Sequence, residues 1–266
     1  MAEQTHRWRR YVAIGDSLTE GLADPNPDGS PRGWADRFAQ HLADAADAPI
    51  DYANLAIRGR LLGPIVAEQL EPALALEPDL VSLWGGGNDI LRPRADVDAI
   101  TDQIEQAVIR LRAAGVEVLL GTGVDAKDSP ILELTRSRTG IFNANLWSIA
   151  RRHGAYVIDV WGMRCLKDWQ LWHDDRLHFN SIGHERVSQA ALAAVGLPSR
   201  PGWDDPVPAL PPKSRREWFE WQLTWAREYA GPWIGRRIRR TSSGAGRTAK
   251  LPHYVSVPPQ APQTAQ

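Results

Sequence analysis

Apolar positions along the chain fall into two recurring patterns. Short, mostly apolar runs at Tyr11–Ile14, Ile50–Leu55, Leu80–Trp84, Val116–Leu120 and Tyr156–Val160 have the length and composition of strands buried on both faces. Between them, apolar residues return every three or four positions, as on one face of a helix. Trp34, Phe38 and Leu42 form one such stripe, and Ser30-Pro31 reads as its N-cap and first turn. Val97, Ile100, Ile104, Val108 and Leu111 form another, with Gly115 placed for a left-handed C-terminal cap. Residues 140–153 stop before Gly154, and 181–195 stop before Gly196 with Pro198 beyond. The segment from Pro64 to Leu76 carries Pro72, which should break or kink it. Strand and helix alternating in this way predict β-α units in a mostly parallel sheet.

Past Pro198 the alternation ends, and eleven of the twenty prolines lie in 198–266. The expected organisation is a main α/β domain over 1–198, a Pro-rich segment with an aromatic and basic helix over 199–240, and a disordered tail over 241–266. Trp218, Trp221, Trp225 and Tyr229 would share one face of that helix. The plain expectation is that this face packs on the main domain. The rival is a membrane-surface helix over 215–240, because Arg236, Arg237, Arg239 and Arg240 follow.

Charge sharpens that contrast. The net charge is −1, yet residues 213–250 hold ten Lys or Arg against three Glu, +7, leaving −8 on the rest. An acidic body without a reader motif argues against nucleic acid as a partner. The single cysteine, Cys165, excludes an internal disulfide framework. The N-terminal residues show no apolar stretch with a cleavage site, so the expectation is a cytoplasmic protein.

The candidate chemistry gathers where strand candidates end. Ser17, in Gly15-Asp16-Ser17-Leu18-Thr19-Glu20-Gly21, follows the first, at the edge where open α/β sheets bind ligands. Serine needs a base within hydrogen-bond reach to act as a nucleophile. Asp175-Arg176-Leu177-His178 follows the fifth strand candidate and supplies base and orienter, since one turn of chain brings Asp175 to the Nδ1 of His178. Donors for a developing oxyanion are the Ser17 N–H, the N–H of Gly59 and the side-chain amide of Asn88 in Gly86-Gly87-Asn88-Asp89. Removing one such donor costs about 10²–10³ in rate.

These four blocks, in this order, resemble the SGNH (GDSL) hydrolase family, named for its Ser, Gly, Asn and His. Ser17 matches the first block, Gly59 the second, Gly86-x-Asn88-Asp89 the third and Asp175-x-x-His178 the last, over about residues 10–195. The resemblance implies a flavodoxin-like α/β/α sandwich on five parallel strands. It also implies esterase or lipase activity on a small-molecule ester, without metal or other cofactor. Short acyl groups such as acetyl are the first expectation, and a lipid-directed phospholipase or lysophospholipase that uses the aromatic and basic C-terminal helix is the second. A non-catalytic ligand-binding protein on the same fold is a further alternative.

Rival chemistries have weaker support. His173, Asp174, Asp175 and His178 crowd into six residues and could ligate zinc, but match no metal motif. Gly121-Thr122-Gly123-Val124-Asp125-Ala126 fits a dinucleotide fingerprint, yet Pro130 interrupts the helix it would need. No Gly-x-Ser-x-Gly elbow is present. His184, inside a helix, reads as structural. Trp34, Trp84, Trp169 and Trp172 read as core residues first and pocket walls second.

Overall fold

The computed structural model describes residues 7–125, 127, 132–211, 214–232, 235 and 243–260. Strands β1 (Arg10–Gly15), β2 (Ile50–Asn54), β3 (Leu80–Trp84), β4 (Glu117–Gly121) and β5 (Tyr156–Ile158) pair in parallel. Their side chains alternate between two cores. Tyr11 and Ala13 of β1 face the layer of α2 (Trp34–Ala46) and α7 (Ser181–Ala194). Val12 and Ile14 face α3 (Leu62–Ala75), α5 (Val97–Ala113) and α6 (Arg136–His153). Burying an apolar side chain of this size contributes about 1.5–3 kcal/mol, and Trp34, Phe38, Tyr11 and Ile14 are all 0% exposed. The architecture is a three-layer α/β/α sandwich.

Three expectations are corrected. The sheet has six strands, in the order β5-β4-β3-β1-β2-β6, because Leu251–Val257 forms β6 antiparallel to β2. These residues belong to the expected disordered tail, but the otherwise open edge of β2 gives their backbone hydrogen-bonding partners. Lys250 Nζ fixes the approach, 2.6 Å from Asp36 and 3.0 Å from the Pro31 carbonyl. Second, α2 starts at Trp34 with Gly33 as N-cap, whose N–H donates to the Asp36 carboxylate at 2.8 Å. Ser30 and Pro31 instead belong to a turn in which Pro31 bridges to Pro25. Third, α3 runs through Pro72. Glu68 and Pro72 lie on its exposed face, where water can solvate the carbonyl left without an N–H partner, while Leu62, Ile65, Leu70 and Ala73 hold the buried face.

Beyond α7, helix α8 (Arg215–Trp225) opens with Ser214 and Glu217 as a capping box and runs into a wider turn at Ala226–Ala230. No helix among the described residues is long and apolar enough to cross a membrane.

Candidate active site

Strand β1 ends on Gly15, φ +156°, where a Cβ would lie 2.4 Å from the Trp84 carbonyl of β3. Only glycine lets the two strands come so close at this edge. The chain then turns through Asp16, whose carboxylate accepts the Leu18 N–H at 3.3 Å. Ser17 begins the short helix α1 (Ser17–Glu20). Its hydroxyl therefore stands at the carboxyl edge of the sheet.

On the other side, the loop between β5 and α7 closes on itself. Trp172 bridges Phe179, the His173 N–H donates to the His178 carbonyl at 2.9 Å, and Arg176 sits in the left-handed region at φ +59°. Asn180 caps α7 and ties the loop down through the Gln170 carbonyl at 2.8 Å. This folding brings His178 Nε2 to 2.9 Å from Ser17 Oγ and His178 Nδ1 to 2.6 Å from Asp175 Oδ2. A carboxylate only accepts, so Nδ1 carries the proton and Nε2 is left to accept from the serine. Asp175 Oδ1 also accepts the N–H groups of Leu177 (2.9 Å) and His178 (3.0 Å). Burial pushes the Asp175 carboxyl upward, but these hydrogen bonds, the His178 ring first, outweigh it and hold it at about 2.

The Gly59 loop is bound to the serine turn. Asn54 Nδ2 donates to the Thr19 carbonyl at 2.8 Å, and the Arg58 N–H and Nε reach the buried Glu20 carboxylate at 2.6 and 2.9 Å. Gly59 itself is left-handed at φ +71°. Asn88, in the short helix Gly87–Ile90 (α4), donates through Nδ2 to the Arg60 carbonyl (3.0 Å) and to Asp16 Oδ2 (3.1 Å). Ser17, Gly59, Asn88, Asp175 and His178 all line one cavity of about 1270 Å³. The structure thus brings together all five residues read from the sequence, with the Asn88 amide already engaged.

Burial raises the Asp16 carboxyl to about 6, reinforced by Asp89 and Glu20 and opposed by the Leu18 N–H and His178. Asp16, Glu20 and Arg58 carry no signal by residue type alone, and their pairing across the site shows only in three dimensions. Trp84 lines the cavity, Trp34 is core, and Trp169 and Trp172 pack on each other. His184 is buried, its Nδ1 accepting from the Trp34 N–H (3.1 Å) and its Nε2 donating to the Leu22 carbonyl (3.0 Å). Burial lowers its pKa to about 4. Among the described residues, no three His, Cys, Asp or Glu side chains are placed to hold a metal ion. Thr122, Gly123 and Val124 of the Gly-rich segment line the cavity, Gly123 paired with Asn143 at 2.8 Å. Ala126 and Pro130 lie outside the described residues.

A hydroxyl set against an oriented imidazole, at the open edge of a parallel sheet, is the arrangement a serine nucleophile needs, and the family match makes the class that of a carboxylic ester hydrolase. The chain belongs to the GDSL-like lipase/acylhydrolase family, whose model matches residues 13–186. Comparison with curated proteins gives no match. Among solved structures the chain is similar to LAE5, an α/β hydrolase from the metagenome of Lake Arreo, Spain, at 22% identity and TM-score 0.60, covering 71% of this chain and 95% of that one. It is similar to Axe2, an acetylxylan esterase from Geobacillus stearothermophilus, at 20% identity and TM-score 0.60, covering 72% and 97%. A third is the psychrotrophic esterase EstA from Pseudoalteromonas sp., at 18% identity and TM-score 0.56, covering 70% and 96%. At these identities the likeness bears on the fold.

Proposed function

We propose that the protein hydrolyses carboxylic esters through an acyl-enzyme on Ser17. The observation that carries this reading is the continuous relay Asp175–His178–Ser17, with contacts of 2.6 and 2.9 Å, on the wall of the cavity. Ser17 Oγ attacks the ester carbonyl as His178 Nε2 takes its proton, and Asp175 stabilises the imidazolium formed. The carbonyl oxygen becomes an oxyanion, met by the N–H groups of Ser17 and Gly59 and by Asn88, which exchanges its 3.1 Å contact with Asp16 for the new anion. His178 returns the proton to the leaving alcohol, then takes one from a water whose oxygen attacks the acyl carbonyl, and passes it to Ser17 Oγ as the C–Oγ bond breaks and the acid leaves. Apart from that water, side chains and amides of this chain supply every group in the cycle.

The substrate we propose is a short acyl ester, acetyl first, in keeping with the acetylxylan esterase among the similar folds. A lipid ester is the second reading. It is favoured by Trp218, Phe219 and Leu223 of α8, which are more than half exposed on a helix whose Trp225 lines the cavity. Arg236, Arg237, Arg239 and Arg240, which would complete a membrane-surface helix, lie outside the described residues. A fluorophosphonate followed by peptide mapping tests the nucleophile. The label should fall on Ser17 in the wild type and fade in His178→Ala; a label elsewhere sinks the assignment. A series of p-nitrophenyl esters from acetyl to palmitoyl separates the substrates, with the highest kcat/KM expected for the shortest chains.

A further inference from the structure

The family match ends at residue 186, and the three similar structures are nearly fully covered by about seven-tenths of this chain. The C-terminal segment lies outside that family match, and it lands on the loop that carries Asp175 and His178. The Trp225 indole N–H donates to the Asp175 carbonyl at 3.1 Å. The Arg176 guanidinium stacks 3.7 Å from the Trp221 ring and 4.6 Å from the Trp225 ring, and its Nη1 donates to Gln222 Oε1 at 2.8 Å. Farther on, Tyr229 meets the edge of His173 at 5.8 Å. At the opposite rim, Gly244 presses on the Gly59 loop, where a Cβ would lie 2.0 Å from the Arg58 carbonyl. The segment then reaches β6, anchored on β2.

Arg176 explains why such a strap would be useful. It is 4% exposed, it makes no ion pair among the described residues although the Asp174 charge favours it from a distance, and its Nε and Nη2 have no hydrogen-bond partner there. A buried cation in that state is costly unless something offsets it, and its left-handed backbone adds about 1–2 kcal/mol. Two indole faces are the compensation α8 provides. The left-handed residue directly follows Asp175, and Trp225 bonds the Asp175 carbonyl. Holding that carbonyl restrains the backbone from which the Asp175 carboxylate projects, beside the Leu177 and His178 N–H groups that hold the carboxylate itself.

We propose that α8 is a positioning clamp for the acid–base loop. Trp225 and Arg176 act as positioning residues that hold Asp175 at 2.6 Å from His178. The clamp rests on the triad assignment above. It differs from a packing role in one respect: the loss should fall on turnover rather than on binding or on fold.

The test uses the full-length chain with p-nitrophenyl acetate, with active sites titrated by a fluorophosphonate. Trp225→Phe keeps the aromatic stack and removes only the N–H. It should lower kcat about three- to tenfold, the worth of one hydrogen bond, at unchanged KM and melting temperature. The downfield Nδ1 proton of His178 should move in its NMR spectrum. Arg176→Lys, which loses the planar stack, should lower kcat at least as far. Thr224→Ala, at an exposed position of α8, should turn over like wild type. Wild-type kcat per titrated site in both Trp225→Phe and Arg176→Lys overturns the clamp, whether or not either melts earlier. Ser17→Ala separates the two claims. If it still turns over, the triad reading fails; if it is dead while Trp225→Phe and Arg176→Lys are both fully active, only the clamp fails.

Discussion

Asp16 and His184 are two buried ionisable groups flanking the site, and their effects on stability oppose each other over nearly the same pH range. Burial raises the Asp16 carboxyl from 3.8 to about 6. At about 1.4 kcal/mol per pH unit, its ionised form costs the fold about 3 kcal/mol. The sign follows from linkage: the folded state holds this proton more tightly, so the contribution is present below about pH 4 and is lost as pH rises through 6. His184 runs the other way. Its pKa falls from 6.5 to about 4, so its contribution is present above about pH 6.5 and lost as pH falls toward 4. It is also worth about 3 kcal/mol, and the two terms nearly cancel in the wild type. Asp16→Asn removes one of them. Equilibrium urea unfolding from pH 4 to 7.5 should show the variant gaining about 3 kcal/mol on the wild type across that range. The lost acceptor for the Asn88 amide adds a pH-independent penalty of about 1 kcal/mol, which shifts the curve without tilting it. A difference that stays flat between pH 4 and 7.5 would refute burial as the cause. The expected gain also implies a reason for the carboxylate: it sits between Ser17 and Asn88, and stability is commonly given up at functional sites.

Other outcomes follow from the same contacts. Asp175→Asn keeps the shape of the loop but disturbs the His178 tautomer, and kcat on p-nitrophenyl acetate should fall about 10³–10⁴-fold with KM little changed; a loss under tenfold would argue that Asp175 is only a loop residue. His184→Phe unpairs the Trp34 N–H and the Leu22 carbonyl and should cost about 2–4 kcal/mol in urea unfolding, with turnover of the folded protein preserved. Exhaustive chelation should leave turnover intact; activity lost to a chelator and restored by zinc would revive the reading of His173, Asp174, Asp175 and His178 as a metal set.

The strands were legible because a strand covered on both faces must be apolar along its length, and β1, β3 and β4 are buried almost throughout. Ser17, Asp175 and His178 were legible for a different reason: each lies in a contiguous block whose spacing states its geometry. Long-range pairing was not. Leu251–Val257 contains Pro252 and is followed by Pro258 and Pro259, a composition that reads as disorder, and only the open edge of β2, some 200 positions away, makes it a strand. An outer strand tolerates the proline. Likewise Trp221 and Trp225 showed an aromatic face, but nothing local named Arg176 as its partner. Asn88 showed a donor, but not that Arg60 and Asp16 already hold it.

Whether Ser17 Oγ is the atom that bonds to the acyl group is tested most directly by the turnover of Ser17→Ala on p-nitrophenyl acetate at matched folded concentration. The expected result is a fall of at least about 10³-fold, with binding of the ester preserved. A rate within about tenfold of wild type would contradict it, since losing a true nucleophile costs far more.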